Sequence, residues 1–195
     1  MELRKYLVDR KEDIKNIHVE PRKIECKLTK DFIISIIGPR RAGKTYFLYH
    51  LIKNIQDENY IFVNFEEIFE RINILDLPIL HKEIYGVLPE FIFLDEIQAL
   101  SSWEKQIYSL YEKKRYNIFI TGSSSKLLSK EIATQLRGRT IAVKVFPFSF
   151  REILEIEDIK IKKVLSSYEE ASIKHTIKKH LLSQFPDVVL GKIDP

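Results

Sequence analysis

Apolar positions along the chain fall into short dense runs separated by amphipathic stretches. Phe32-Ile33-Ile34-Ser35-Ile36-Ile37, Tyr60-Ile61-Phe62-Val63-Asn64-Phe65 and Phe91-Ile92-Phe93-Leu94 read as three strands. Asn117-Ile118-Phe119-Ile120-Thr121 and Ile141-Ala142-Val143-Lys144-Val145-Phe146 read as two more. The nearly continuous run from Phe32 to Ile37 is expected of a central parallel strand covered on both faces. Between the runs the period becomes helical. Phe47, Leu48, Leu51, Ile52 and Ile55 share one face of a helix from Tyr46 to about Gln56. Trp103, Ile107, Leu110 and Tyr111 do the same within 100–115. The stretch 68–85 reads as helical in pieces, interrupted at Leu77-Pro78, and 126–135 as one further helix. Strands alternating with helices predict an α/β fold: three layers around a five-stranded parallel sheet with right-handed crossovers.

The ends of the chain carry weaker patterns. Leu3, Tyr6, Leu7, Arg10, Ile14 and Ile17 predict a short amphipathic helix laid on the domain. Ile24, Cys26 and Leu28 alternate with charged residues, which predicts a half-exposed strand. Pro147 marks a boundary, and from Ser149 the pattern turns helical, through a Lys/Glu/Ile-rich stretch over 155–164 to another helix at 172–182. The expected organisation is an N-terminal helix and strand over 1–30, a core over 31–147 and a helical C-terminal segment over 148–195. That last segment reads as the opening of something longer.

Chemistry concentrates where the first strand ends. Gly38-Pro39-Arg40-Arg41-Ala42-Gly43-Lys44-Thr45 follows a strand and opens a helix, the order of a phosphate-binding loop. Gly38 and Gly43 permit backbone geometries that a Cβ would forbid, so successive amides can turn toward phosphate oxygens. The helix beginning near Lys44 adds the positive end of its dipole. Lys44 is expected to reach the β- and γ-phosphates, and the Thr45 hydroxyl to ligate Mg²⁺. Tyr46 closes the binding stretch. Arg40 and Arg41 either touch phosphate or face solvent. The plain alternative is a tight strand-to-helix turn with no ligand. With its flanking elements, the loop implies a nucleoside triphosphate ligand, ATP first.

The third strand runs into Asp95-Glu96. Asp95 is expected to hold Mg²⁺, and Glu96 to orient and deprotonate an attacking water. Any strand can end in two acids. The position of this pair, after the glycine loop and one intervening strand, gives it meaning. The fourth strand should lie between those two, so a polar side chain at its tip can reach the γ-phosphate or the water. Ser123 is the first candidate and Thr121 the second; a serine-rich cap for the next helix explains the same residues. Arg139 or Arg137, just before the fifth strand, fits an arginine finger acting across a subunit boundary, or a surface salt bridge.

Composition narrows the classes. The formal charge is +4, with 28 acidic residues among 32 basic ones, so nucleic acid is permitted but not implied. No apolar run is long enough to span a bilayer, and the charged N-terminus does not resemble a signal peptide, so a cytoplasmic location is expected. Cys26 is the sole cysteine, which excludes an internal disulfide; its alternating surroundings point to a buried structural thiol. The five histidines are scattered without metal-ligand spacing.

GPRRAGKT, FIFLDEIQ with the following Trp103, FITGSSSKLLS, LRGRT and VFPFSFREIL occur in order over about 31–154. Together they resemble a prokaryotic P-loop ATPase family of the AAA+ superfamily, the archaeal ATPase type. The resemblance implies the AAA+ core, with Gly38 to Thr45 as Walker A, Asp95 and Glu96 as Walker B, Ser123 as sensor and Arg139 near the finger position. Members usually continue, after a glycine-glycine-aromatic-proline element, into a winged-helix or nuclease-like domain. Ser183-Gln184-Phe185-Pro186 stands at that place without the glycine pair. The leading expectation is Mg²⁺-dependent ATP hydrolysis coupled to conformational change or homo-oligomeric assembly. The alternatives are a nucleotide-gated switch on DNA or a protein partner with little turnover, and a small-molecule kinase. Base preference is not legible, although the segment before Phe32 is the expected supplier of adenine contacts.

Overall fold

The computed structural model describes residues 2–55, 57–68, 72–123, 136, 138–160, 164–180 and 185–191. Five parallel strands form one sheet: β1 (Ile33–Gly38), β2 (Tyr60–Asn64), β3 (Phe91–Asp95), β4 (Asn117–Ser123) and β5 (Thr140–Lys144). Their order is β2-β3-β4-β1-β5. Among the described residues the α-helices are α1 (Leu3–Asn16), α2 (Lys44–Ile55), α3 (Leu77–Tyr85), α4 (Trp103–Glu112), α5 (Phe150–Ile156), α6 (Ser167–His180) and the short α7 (Pro186–Val189). The predicted α/β fold with its five-stranded parallel sheet is therefore present, and β4 lies between β1 and β3 as expected. The expected helix over 126–135 lies outside the described residues.

Period-two alternation divides the sheet into two chemically distinct faces. Ile33, Ile37, Ile61, Val63, Ile92, Leu94, Ile118 and Ile120 form a largely aliphatic face, covered by Trp103, Ile107 and Leu110 of α4. Tyr60, Phe62, Phe91, Phe93 and Phe119 make the other face largely aromatic, and Phe47, Leu48 and Ile52 of α2 pack on it. Phe93 and Phe119 stack with ring centres 4.7 Å apart on neighbouring strands. Helix α1 crosses the β2 edge: Tyr6 and Leu7 belong to the aliphatic cluster and Ile14 to the aromatic one.

Three expectations need correction. Residues 18–30 form no strand. Ile24 and Cys26 do turn inward onto the aromatic-face cluster, so their alternation records a half-buried extended chain that has no ladder partner. Leu77-Pro78 does not interrupt a helix but opens α3, because a proline in the first turn lacks only an N–H that has no intrahelical partner there. Gly86, at φ 80°, closes α3 by donating its amide to the Lys82 carbonyl at 2.8 Å. Helix α5 takes in the first two residues of the Lys/Glu/Ile-rich stretch and stops at Ile156, and 157–160 do not continue it. Burial pushes the Cys26 thiol up to about 11, which suits a structural thiol. Among the described residues no helix is long and apolar enough to cross a membrane.

Helix α6 is tied to the end of α5 through Glu157. Its carboxylate accepts from Thr176 Oγ1 at 2.6 Å and Lys179 Nζ at 2.8 Å, and meets His180 Nε2 at 3.1 Å. Burial alone would raise its pKa, but the bonds from Lys179, Thr176 and His180 outweigh that and hold it at about 2, against an ordinary 4.5. A depressed carboxylate stabilises fully above its unfolded value and loses that contribution as pH falls through the folded one. Pepsin cleavage within 167–180 should therefore increase as pH falls from about 4.5 toward 2. Glu157→Gln should already show the higher cleavage at the upper end of that range.

Candidate active site

Parallel register sets which residues meet at the carboxyl edge of the sheet. Gly38 stands opposite Ser123, Ile36 opposite Thr121, and Asn64 opposite Asp95. The glycine loop leaves β1 at this edge. A Cβ on Gly38 would stand 2.0 Å from the Val145 carbonyl oxygen, and that residue is fixed by its amide donating to Ile37 at 2.8 Å. Only glycine fits. Arg41 at φ 64° and Gly43 at φ 85° put two left-handed residues around Ala42, and the Ala42 amide donates to the Pro39 carbonyl at 3.3 Å. Such alternation lets successive amides face one concavity, the backbone requirement for binding an anion.

Lys44, the first residue of α2, is buried and turns its ammonium onto the loop, donating to the carbonyls of Pro39 at 3.2 Å and Gly38 at 3.5 Å. Thr45 Oγ1 donates to Asp95 Oδ2 at 2.7 Å. The two residues expected to share a metal are thus brought together by the fold. Asp95 has no exposed surface. Burial raises its pKa to about 6; hydrogen bonds from Thr121 and Thr45 oppose the rise, the neighbouring Glu96 adds to it, and Lys44 opposes it.

Thr121 emerges as the organising side chain on β4. Its hydroxyl donates to Asp95 Oδ1 and accepts the Glu96 amide at 3.0 Å, with no exposure of its own. Ser123, the first candidate by sequence, has its backbone beside Gly38, while its side chain lies outside the described residues. Glu96 sits at φ 49° and receives the Gln98 side-chain amide. The left-handed turn swings its side chain off the strand axis into the cavity.

That cavity, about 610 Å³, lies over the loop. Gly43, Lys44, Thr45 and Tyr46 form its base, with Arg41 and Glu96 at its rim. Ile17, His18, Glu20 and Arg22 supply one wall, from the segment expected to contribute to ligand contacts. Phe148, Pro186, Asp187 and Leu190 supply the other. Its volume is within the range of small-ligand sites. Pro39 and Arg40 are exposed and do not line it.

Arg139 is not brought to the cavity. Its carbonyl accepts the Ile33 amide at 2.9 Å, so it lies at the amino edge of β1, five residues or about 16 Å from Gly38 along the strand. Its guanidinium donates to Tyr108 and Glu112 of α4 in the same chain. The salt-bridge alternative describes this conformation. Arg137 lies outside the described residues.

A family profile described as "AAA domain" matches residues 30–154. The chain belongs to this AAA family. The chain is also similar to uncharacterized proteins of Methanocaldococcus jannaschii and Haemophilus influenzae. The first is 38% identical over 189 residues, covering 94% of this chain and 42% of the relative. The second is 34% identical over 155 residues, covering 72% and 38%. The chain spans less than half the length of these curated relatives. The structure of C. elegans PCH-2 aligns over 99% of this chain and 62% of that one, with 16% identity and a TM-score of 0.47. Family and loop together make this AAA protein a P-loop NTPase.

Sequence reasoning missed Arg22, Glu152 and the return of the chain at Pro186 over the loop. One local signal was available: Ser149-x-x-Glu152 is a capping box, with the Ser149 hydroxyl accepting the Glu152 amide and the carboxylate reaching back to the Ser149 amide. Nothing in the order of residues says that an arginine far upstream meets that glutamate.

Removing the Thr121 hydroxyl while keeping its shape should isolate its contribution. Thr121→Val leaves Asp95 Oδ1 and the Glu96 amide without that partner. Urea denaturation should show a loss of about 1–3 kcal/mol, whereas Thr121→Ser should lose less than about 1 kcal/mol.

Proposed function

We propose that this AAA protein binds ATP with Mg²⁺ and hydrolyses it to ADP and phosphate, changing conformation or assembly with the nucleotide. The observation that carries this reading is the hydrogen bond from Thr45 to Asp95, directly below a glycine loop shaped for phosphate. A hydroxyl and a carboxylate are the hard oxygen donors that suit Mg²⁺, which takes few protein ligands and completes its shell with phosphates and water. Thr45 and Asp95 would hold it, and when bound it neutralises charge on the phosphate oxygens. Lys44 exchanges its loop carbonyls for the β- and γ-phosphates. Glu96 holds a water in line with the γ-phosphorus and takes its proton as the new P–O bond forms. The bond to the bridging oxygen breaks, and ADP leaves with that electron pair. Thr121 fixes the Asp95 carboxylate and the backbone of Glu96, and Ser123, two residues further along β4, is the first candidate to sense the γ-phosphate. Ile17 and His18, in the cavity wall before β1, would meet the base.

Arg139 faces its own α4, so a finger role is open to it only toward a neighbouring copy. One observation favours a second reading, a switch with little turnover acting on DNA or a protein partner. One oxygen of the Glu96 carboxylate is engaged by the Gln98 amide, which leaves a single oxygen to receive a proton from water.

Phosphate release measured with Mg²⁺ separates the two. For the ATPase, Lys44→Ala should abolish both ATP binding and turnover. Glu96→Gln should keep ATP affinity while turnover drops about 100-fold or more. Tight binding in the wild type with no turnover, unchanged in Glu96→Gln, supports the switch.

A further inference from the structure

Arg22 belongs to none of the nucleotide motifs, yet it is only 9% exposed in a coil segment of an otherwise charged stretch. Its guanidinium reaches three separate parts of the chain. Nε donates to Glu152 Oε1 on α5 at 2.9 Å, and Nη2 to the Phe146 carbonyl at 2.7 Å. Nη1 donates to the Ala42 carbonyl inside the glycine loop at 3.4 Å. The guanidinium carbon lies 4.6 Å from the centre of the Phe148 ring. Glu152, 7% exposed, also accepts from the Lys23 amide at 3.3 Å and the Ser149 amide at 2.8 Å. Two charged groups are thus buried together with their hydrogen bonds satisfied from several directions.

A buried ion pair is weak evidence of stability by itself, since apolar residues of similar volume often serve as well. Its position says more. Phe148, Ile153 and Val189 form a small apolar cluster of their own, with Leu190 packed against it. That cluster holds α7 on α5. From it Pro186 reaches the loop, so that a Cβ on Gly43 would lie 3.2 Å from Pro186 Cγ and 3.8 Å from Arg22 Nη1. Arg22 therefore touches both the loop and the platform of the segment that covers it. The Ala42 carbonyl and the Gly43 amide belong to one trans peptide and point in opposite directions. Holding the carbonyl on Arg22 fixes the direction in which the Gly43 amide faces. A planar fork can meet three acceptors at fixed angles; an ammonium cannot.

We propose that Arg22, paired with Glu152, is a positioning residue that orients the glycine loop and relays its occupancy to the C-terminal segment over 148–191. The proposal rests on the reading that the loop binds a nucleoside triphosphate. An anion entering the loop presses on the Ala42–Gly43 peptide. That peptide is bonded to Arg22, and Arg22 to Glu152 and Phe148, so α5 and α7 shift with it. The relay runs through cis contacts and requires no second copy.

The full chain tests this by calorimetric ATP binding and by hydrogen exchange over 148–191 with and without saturating ATP. In the wild type, ATP should bind and slow exchange in that segment. Arg22→Lys, which keeps the charge but loses the fork, should weaken ATP affinity about tenfold, the effect of one or two hydrogen bonds. At saturating ATP its loop amides should still be protected while 148–191 is not. Arg22→Met should behave alike, and Arg22→Met with Glu152→Met should bind within about twofold of Arg22→Met alone, as residues acting as a unit do. If the methionine variants do not fold, the lysine variant decides. ATP-dependent protection of 148–191 that survives in Arg22→Lys, with affinity unchanged, overturns the proposal. A wild type that does not bind ATP overturns the nucleotide reading itself, and the relay with it.

Discussion

A carboxylate with no access to water must have its oxygens occupied, and at Asp95 both are taken by threonine hydroxyls. One comes from the first turn of α2 and the other from β4, so a single side chain ties the glycine loop to the centre of the sheet. The ladder makes this possible. With β4 between β3 and β1, Thr121 stands where it can reach Asp95 on one side while its strand flanks the exit of β1 on the other. Moving β4 by one residue would turn Thr121 to the opposite face. Both neighbouring ladders fix that register, and the aromatic stack of Phe93 on Phe119 reinforces it.

The strands and the loop were legible because each carries a local signal. Dense apolar runs mark buried parallel strands, and the glycine loop has obligatory spacing that steric contact enforces, as the 2.0 Å approach at Gly38 makes plain. Strand order followed from the placing of the motifs. What could not be read was chosen by tertiary partners. The alternation of Ile24 and Cys26 is the same whether a chain pairs in a ladder or lies over a cluster. Thr121 and Ser123 are equally polar at one strand tip; only the depth of Asp95 distinguishes them. Arg22 and Glu152 are 130 positions apart, and no period connects them.

The site is built from three distant parts of the chain. The core supplies the loop and the acids, the segment before β1 supplies one cavity wall, and the chain after β5 returns to supply the other. The second wall rests on a small cluster of its own, joined to the rest through α5 and Arg22. A ligand filling this space would therefore touch elements that otherwise share few contacts. That arrangement is the one on which the proposed relay through Arg22 depends.

Thr45 and Asp95 are proposed to hold Mg²⁺ against a triphosphate seated in the glycine loop. Calorimetric titration of a non-hydrolysable ATP analogue, with Mg²⁺ and again with a chelator, addresses it directly. Saturable one-to-one binding is expected, weakening about tenfold or more without Mg²⁺, and Asp95→Asn should remove most of this dependence. Affinity indifferent to Mg²⁺, or an Asp95→Asn variant with the full Mg²⁺ effect, would contradict it.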